Sequence, residues 1–248
     1  MLNTDIYEGD PDSTPVVIAH GLFGSARNWR AIAKRMSPAR TVIAADMRNH
    51  GESPWFETHS YPDMAEDLAE LSPAPIDVIG HSMGGKASMM LALRHPSRVR
   101  RLVVADIAPV GYRHTQLPMI DAMEAVDLSR VEARSDADRQ MQTVTPEAGV
   151  RAFLLQSLDV KNKQWRLNLG VLRRQMDLIM GFPKIGARFE GPALFLSGAD
   201  SDYVRSEHRE RIKDLFPQAK FAKLTSAGHW LHADKPREFQ AAVEAFLC

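Results

Sequence analysis

The chain of 248 residues lacks several features that would indicate a specialised class of protein. Its one cysteine, Cys248, is the last residue, so no internal disulfide can form and a reducing, cytoplasmic compartment is expected. Basic and acidic residues balance at 31 each, which argues against a nucleic-acid partner because such proteins usually carry a basic surface. The first residues lack the charged and apolar regions of a secretory signal, and no apolar run approaches membrane-spanning length, so no membrane span is expected.

Motifs for binding phosphates, dinucleotides and metals are missing as well. The glycines of His20-Gly-Leu-Phe-Gly-Ser25 do not have the G-x-G-x-x-G spacing of a dinucleotide site, and no P-loop is present. No group of histidine, cysteine and aspartate has the spacing of metal ligands. We therefore expect no cofactor and no metal, so any chemistry must be supplied by the side chains themselves.

The sequence does have a regular alternation of short apolar runs and helical patterns. The apolar runs predict strands at residues 16–19, 41–45, 76–79, 102–105, 193–196 and 221–225. The helical patterns lie at residues 27–36, 61–71, 83–95, 206–215 and 236–247. Because the runs are apolar on both faces, the pattern indicates an α/β fold with a mostly parallel, doubly wound sheet. Ligands bind such sheets at the carboxyl ends of the strands.

The alternation stops between about residues 111 and 190. This stretch contains helical patterns at 117–126, 129–142, 146–157 and 168–180, and no clear buried strand. We interpret residues 111–190 as a helical cap inserted into a core domain that is formed by residues 1–110 and 191–248. The alternative is that the insertion only covers one flank of the sheet.

A candidate nucleophile follows the third predicted strand. Gly80-His81-Ser82-Met83-Gly84 lies between that strand and a helical pattern, which is the setting of the G-x-S-x-G nucleophile elbow. The sharp turn forces the serine into strained backbone angles, and the two glycines allow strand and helix to approach closely. Ser82 is therefore the candidate nucleophile, and the Met83 N–H points toward the oxygen of the group that is attacked.

A serine hydroxyl needs a base, and His229 is the candidate. It follows the last predicted strand in Ala227-Gly228-His229-Trp230, which gives the chain order serine, acid, histidine. His232 is the nearest rival, His81 is expected to point away from Ser82, and His20 is expected to shape its own loop. Surface positions are expected for the remaining histidines, which are His50, His59, His95, His114 and His208.

Two placements of the catalytic acid are open. Asp106 follows the fourth predicted strand, where a buried carboxylate could accept the Nδ1–H of His229 and fix its tautomer. Asp200 and Asp202 lie in the turn after the next strand, where enzymes with a serine elbow usually carry the acid. The acid is usually three residues after the glycine of this turn, but here Ser201 occupies that position after Gly198. We favour Asp106, with Asp200 and Asp202 as the alternative.

Acyl transfer also requires donors for the oxyanion. The loop after the first long strand carries Leu22, whose backbone N–H is the predicted partner of the Met83 N–H. Phe23 and Trp230 are the candidate pocket residues beside these groups.

Five segments together resemble one known family. They are His20-Gly-Leu-Phe-Gly-Ser25, Asp46-Met-Arg-Asn-His-Gly-Glu-Ser53, Gly80-His-Ser-Met-Gly-Gly85, Asp106-Ile-Ala-Pro109 and Ala227-Gly-His-Trp230. They resemble the YbfF-like serine esterases of the α/β-hydrolase superfamily, and they cover both halves of the core but not the cap.

The resemblance implies a carboxylester hydrolase, with acyl-CoA thioesters as a further substrate class and a small-molecule acyl compound as the partner. It implies Ser82, Asp106 and His229 as the triad, with serine at the usual acid position, as Ser201 is here. Serine at the elbow argues against dehalogenase and epoxide hydrolase chemistry, which use a carboxylate there. The alternatives are a carbon–carbon bond hydrolase or perhydrolase on the same triad, and an inactive hydrolase fold that serves as a binding module.

Overall fold

The computed structural model describes all 248 residues and contains nine strands. The strands are β1 (Thr4–Tyr7), β2 (Val16–Ala19), β3 (Val42–Ala45), β4 (Ile76–His81), β5 (Val99–Ala105), β6 (Leu158–Asp159), β7 (Gln164–Trp165), β8 (Ala193–Gly198) and β9 (Ala219–Leu224). Seven of them form one sheet in the order β1-β3-β2-β4-β5-β8-β9, in which only β1 runs antiparallel to its neighbour. The prediction of a mostly parallel α/β sheet is confirmed.

Eleven helices surround the sheet. They are α1 (Arg30–Met36), α2 (Tyr61–Ala69), α3 (Met83–Arg94), α4 (Leu117–Glu124), α5 (Arg134–Met141), α6 (Ala148–Leu154), α7 (Leu169–Arg174), α8 (Met176–Met180), α9 (His208–Leu215), α10 (Leu231–Asp234) and α11 (Pro236–Leu247). No helix combines the length and the hydropathy that a bilayer crossing requires.

The central strands are buried on both faces, which is why they read as continuous apolar runs. Side chains of β2 alternate between two hydrophobic clusters: Val16 and Ile18 face one, and Val17 faces the other. Helices α1, α10 and α11 cover the first face, and α2, α3 and α9 cover the second. The sheet is therefore wound on both sides, and α3 is almost entirely buried because it lies between the sheet and the insertion.

Between β5 and β8 the chain forms helices α4 to α8 and a small antiparallel hairpin of β6 and β7. The hairpin was not predicted, because two strands of two residues each leave no readable alternation. Apolar residues of the insertion, among them Ile120 and Leu172, belong to the same hydrophobic cluster as the sheet residues Val17 and Val104. That residues 111–190 form a cap distinct from the core stays a prediction.

The predicted helix at 129–142 begins later than its pattern suggests. Helix α5 starts at Arg134, because the Asp136 carboxylate accepts the backbone N–H groups of Glu132 and Ala133 at 2.9 and 2.8 Å and so fixes the N-terminus there. A 3₁₀ turn over Leu128–Arg130 precedes it.

Candidate active site

Ser82 lies at the sharp turn between β4 and α3. Its backbone has φ +52° and ψ −120°, a conformation that costs a non-glycine residue on the order of 1–3 kcal/mol. Hydrogen bonds hold it there: the Ser82 N–H donates to the carbonyl of Ala105 and the Ser82 carbonyl accepts the N–H of Lys86, both at 3.0 Å. A Cβ at Gly84 would lie 2.5 Å from the carbonyl oxygen of His20, so only glycine allows α3 to approach β2 this closely.

The imidazole of His229 lies against the hydroxyl of Ser82. Its Nε2 is 3.0 Å from Ser82 Oγ, within hydrogen-bond distance. The ring stacks on Tyr203 with a centroid separation of 3.9 Å, and the Nε2–H of His81 donates to the His229 carbonyl at 2.8 Å. Contacts on both the side chain and the backbone therefore fix the orientation of the imidazole.

Asp106 is the carboxylate that contacts this imidazole. Its Oδ2 is 2.8 Å from His229 Nδ1, and its side chain is fully buried. The Gly198 N–H donates to Oδ1 at 3.1 Å, and the Ser201 hydroxyl donates to Oδ2. The hydrogen bond to a carboxylate leaves the proton on Nδ1, so Nε2 is free to accept the proton of the serine.

The alternative acids do not contact the imidazole. Asp200 and Asp202 lie on an exposed turn, and neither makes a hydrogen bond or ion pair with His229. The nearest cation to Asp202 is Arg205, at 3.9 Å. Of the two placements that the sequence left open, the structure brings only Asp106 to the histidine.

Two histidines that were expected at the surface, His50 and His59, are fully buried, so that expectation is wrong. The loop that carries His50 lies beneath the insertion, where the Gly51 N–H donates to the Arg166 carbonyl at 2.8 Å. Burial lowers the pKa of His59 to about 3 and that of His50 well below its ordinary value, so both rings are neutral at neutral pH. His50 Nε2 accepts the N–H of Phe23 at 3.1 Å, which gives it a structural task.

His20 and His232 also lie near Ser82 without contacting its hydroxyl. His20 is buried between the carbonyl of Gly21, to which its Nδ1–H donates at 2.8 Å, and the N–H of Met47, which its Nε2 accepts at 2.9 Å. His232 stacks on Trp29 with a centroid separation of 4.3 Å, and burial lowers its pKa to about 3. Neither ring replaces His229 beside Ser82.

The loop after β2 lies directly against the elbow. A Cβ at Gly21 would be 3.3 Å from the Cβ of Ser82. Phe23 adopts φ +64°, and its carbonyl accepts the hydroxyl of Ser157 at 3.0 Å, so the insertion helps to hold the loop. The Leu22 N–H donates to no acceptor within the protein, and the Met83 N–H begins α3, where no intrahelical acceptor exists. Both predicted oxyanion donors are therefore without an acceptor in the protein, in residues that line the same cavity as Ser82.

A cavity of about 420 Å³ opens above Ser82, and 15 of its 25 lining residues are hydrophobic. Both predicted pocket residues, Phe23 and Trp230, line it, and Trp230 packs against Phe153 of α6 with a ring separation of 5.2 Å. The lining residues that sequence reasoning did not single out include Lys86, Tyr112 and Tyr203. The signal for Lys86 was present, because it is the one charged residue in the apolar stretch that opens α3.

Comparison with known proteins identifies the family of this chain. A family model described as "alpha/beta hydrolase fold" matches residues 14–236. The sn-1-specific diacylglycerol lipase ABHD11 of Mus musculus is 44% identical over 99% of this chain and 85% of its own length. Esterase YbfF of Escherichia coli (strain K12) is 40% identical over 95% of this chain and 94% of its own.

A solved structure has the same fold. The chain of a marine microorganism esterase superposes with a TM-score of 0.93 and 35% identity, over 99% of this chain and 98% of that one. The resemblance to YbfF-like esterases is confirmed, as is the prediction of an esterase-type hydrolase at the level of the family. With its elbow, its sheet order and these relatives, the chain belongs to the alpha/beta hydrolase fold family.

Proposed function

We propose that the protein is a serine hydrolase that cleaves carboxylic esters through an acyl-enzyme on Ser82. The observation that carries the proposal is the continuous hydrogen-bonded series from Ser82 Oγ through His229 to the buried Asp106, at the floor of a mostly apolar cavity. Such a series provides a nucleophile, a general base and a group that orients the base.

In the first step Ser82 Oγ attacks the ester carbonyl while His229 Nε2 takes the hydroxyl proton. The N–H groups of Leu22 and Met83 donate to the developing oxyanion. Removal of one such donor typically lowers the rate by about 10²–10³. As the tetrahedral intermediate collapses, the bond to the alcohol breaks and His229 returns its proton to the departing oxygen. The acyl group is then bonded to Ser82.

In the second step a water molecule replaces the alcohol. His229 Nε2 takes a proton from the water, which attacks the acyl carbonyl, and the same proton goes to Ser82 Oγ when the acid leaves. Asp106 stabilises the imidazolium that forms in each step. No other reactant is needed, and a thioester would react in the same way with a thiol as the leaving group.

The cavity supports a small acyl compound as the substrate. Its hydrophobic lining favours an aliphatic chain, and the relatives include an esterase and an sn-1-specific diacylglycerol lipase. We extend the proposal to acyl-CoA thioesters on the same chemical grounds. A cytoplasmic location stays a prediction.

The test is hydrolysis of p-nitrophenyl esters of increasing acyl length, together with the oxygen ester and the thioester of one acyl group. Ser82→Ala and Asp106→Asn should each lower kcat by about 10⁴, because each disables the nucleophile–base pair. The matched control is the double variant Asp200→Asn, Asp202→Asn, which should keep kcat within about threefold of wild type since these carboxylates do not contact His229.

Collapse of the double variant with survival of Asp106→Asn would assign the acid to the turn after β8 instead. A folded wild type that hydrolyses none of these substrates would contradict the proposal. It would favour a carbon–carbon bond hydrolase, a perhydrolase or an inactive binding module on the same fold.

A further inference from the structure

Lys86 is a buried cation in the wall of the substrate cavity. It lies in the first turns of α3, where its backbone N–H donates to the Ser82 carbonyl at 3.0 Å, and both residues line the same cavity. The residue is 1% exposed and lines the cavity. It has no carboxylate within ion-pair distance. A formal positive charge therefore faces an otherwise mostly apolar cavity close to the nucleophile.

The partners of the Lys86 ammonium satisfy it only in part. Nζ donates to the carbonyls of Met180 and Gly181 at 3.0 and 2.6 Å, and it lies 4.8 Å from the centre of the Tyr112 ring. An ammonium has three N–H donors, so two are used and one is left. Burial lowers the pKa of Lys86 to about 7, because desolvation disfavours the charged form.

We infer that Lys86 forms a subsite for a carboxylate at the far end of the acyl chain, so that the enzyme cleaves half-esters of dicarboxylic acids. This inference rests on the proposed ester hydrolysis at Ser82. The third N–H of the ammonium donates to the substrate carboxylate, and the carboxylate supplies the opposite charge that the protein lacks at this point.

A carboxylate fits this position better than a phosphate does. Lys86 offers one positive charge and one unused donor, and the adjacent carbonyl oxygens of Met180 and Gly181 would repel the extra charge and the extra oxygens of a phosphate dianion. The two neighbouring phenols offer no further donor, since the Tyr61 hydroxyl donates to the Ile179 carbonyl and the Tyr112 hydroxyl to the Tyr203 carbonyl.

The acyl part of the substrate, rather than the alcohol part, reaches Lys86. The alcohol departs beside His229, whose side chain is 24% exposed, while Lys86 is enclosed by the end of α8. Because the acyl group stays on Ser82 during the second step and the alcohol diffuses away, the enclosed end of the cavity suits the acyl chain.

The test compares pairs of methyl esters that differ only in the terminal carboxylate. Monomethyl adipate is paired with methyl hexanoate, and longer and shorter pairs follow the same pattern. A carboxylate without a partner would be strongly disfavoured in such a cavity. If Lys86 pairs with the carboxylate, the wild-type kcat/KM for the half-ester should be at least equal to that for its neutral partner. In Lys86→Gln, which keeps an N–H donor but loses the charge, the ratio of the two kcat/KM values should fall at least tenfold.

The neutral esters separate the two proposals. If wild type hydrolyses no member of any pair, the proposed ester hydrolysis fails. If wild type hydrolyses the neutral esters but discriminates against every half-ester, the subsite is refuted while the hydrolase stands, and no variant is needed for that result. A Lys86→Gln protein with the wild-type ratio would likewise overturn the subsite and leave Lys86 as a contact between α3 and the insertion.

Discussion

Replacing His232 with phenylalanine should make the protein more resistant to acid. The His232 ring is buried against Trp29, and burial lowers its pKa in the folded protein to about 3, against an ordinary value of 6.5. Between these two pH values the unfolded chain binds a proton that the folded protein does not. The free energy of unfolding therefore falls as the pH falls from 6.5 toward 3.

The size of the effect follows from the two pKa values. One pH unit inside the window corresponds to about 1.36 kcal/mol per histidine, so His232 accounts for a loss of about 2 kcal/mol between pH 7 and pH 5. Phenylalanine keeps an aromatic ring on Trp29, does not titrate, and removes a buried Nδ1 that has no hydrogen-bond partner. The variant should therefore lose about 2 kcal/mol less than wild type over the same pH range.

Urea unfolding at pH 8, 7, 6 and 5 measures the difference. Between pH 8 and pH 7 the histidine is neutral in both states, so the offset between the two proteins should be nearly constant there and serves as the internal control. Below pH 6.5 the two curves should diverge. Curves that stay parallel down to pH 5 would show that His232 is not held neutral by burial, and the reasoning would be refuted.

Two further substitutions test the construction of the elbow and of the acid. Gly84→Ala should lower the free energy of unfolding by about 1–3 kcal/mol or more, because the added Cβ would meet the carbonyls of Ala19 and His20. The control is Gly149→Ala, where an added Cβ has no atom within 4 Å. In the same urea assay this control should be neutral or stabilising. Ser201→Ala should lower kcat about tenfold and leave KM unchanged, because Asp106 keeps two of its three partners. Steady-state kinetics that show a loss as large as that of Asp106→Asn would contradict this.

The sheet could be predicted from sequence because its central strands are buried on both faces. The run at residues 16–19 is completely apolar for this reason. Strand β1 escaped prediction because it lies at the antiparallel edge of the sheet, where Ile6 is 58% exposed and the residues around it are polar. The strand is only four residues long and one of its sides faces solvent. Its hydrophobic pattern is therefore too short to be distinguished from that of a loop.

The sequence predicts those site residues that directly follow strands. Ser82 and His229 follow strands, so their side chains were expected at one edge of the sheet. The burial of His50 could not be predicted from the sequence, because it results from the packing of the insertion on a polar loop. The burial of His59 likewise depends on contacts with distant residues, Asn49 and Met83. Lys86 stood out in its helix, but its partners, the carbonyls of Met180 and Gly181, lie more than ninety residues away in the chain.

The choice between the two acids illustrates why strand order matters more than chain order. In the sheet β5 lies between β4 and β8, so the strand ends that carry Ser82, Asp106 and the turn of Ser201 are successive neighbours. Adjacent strands are only about 4.8 Å apart, so a carboxylate that follows β5 can reach the same imidazole nitrogen as one that follows β8. Ser201 then donates to the carboxylate of Asp106. The geometry around His229 can thus be kept while its carboxylate comes from a different strand, which is why a motif search at the β8 turn alone would miss it.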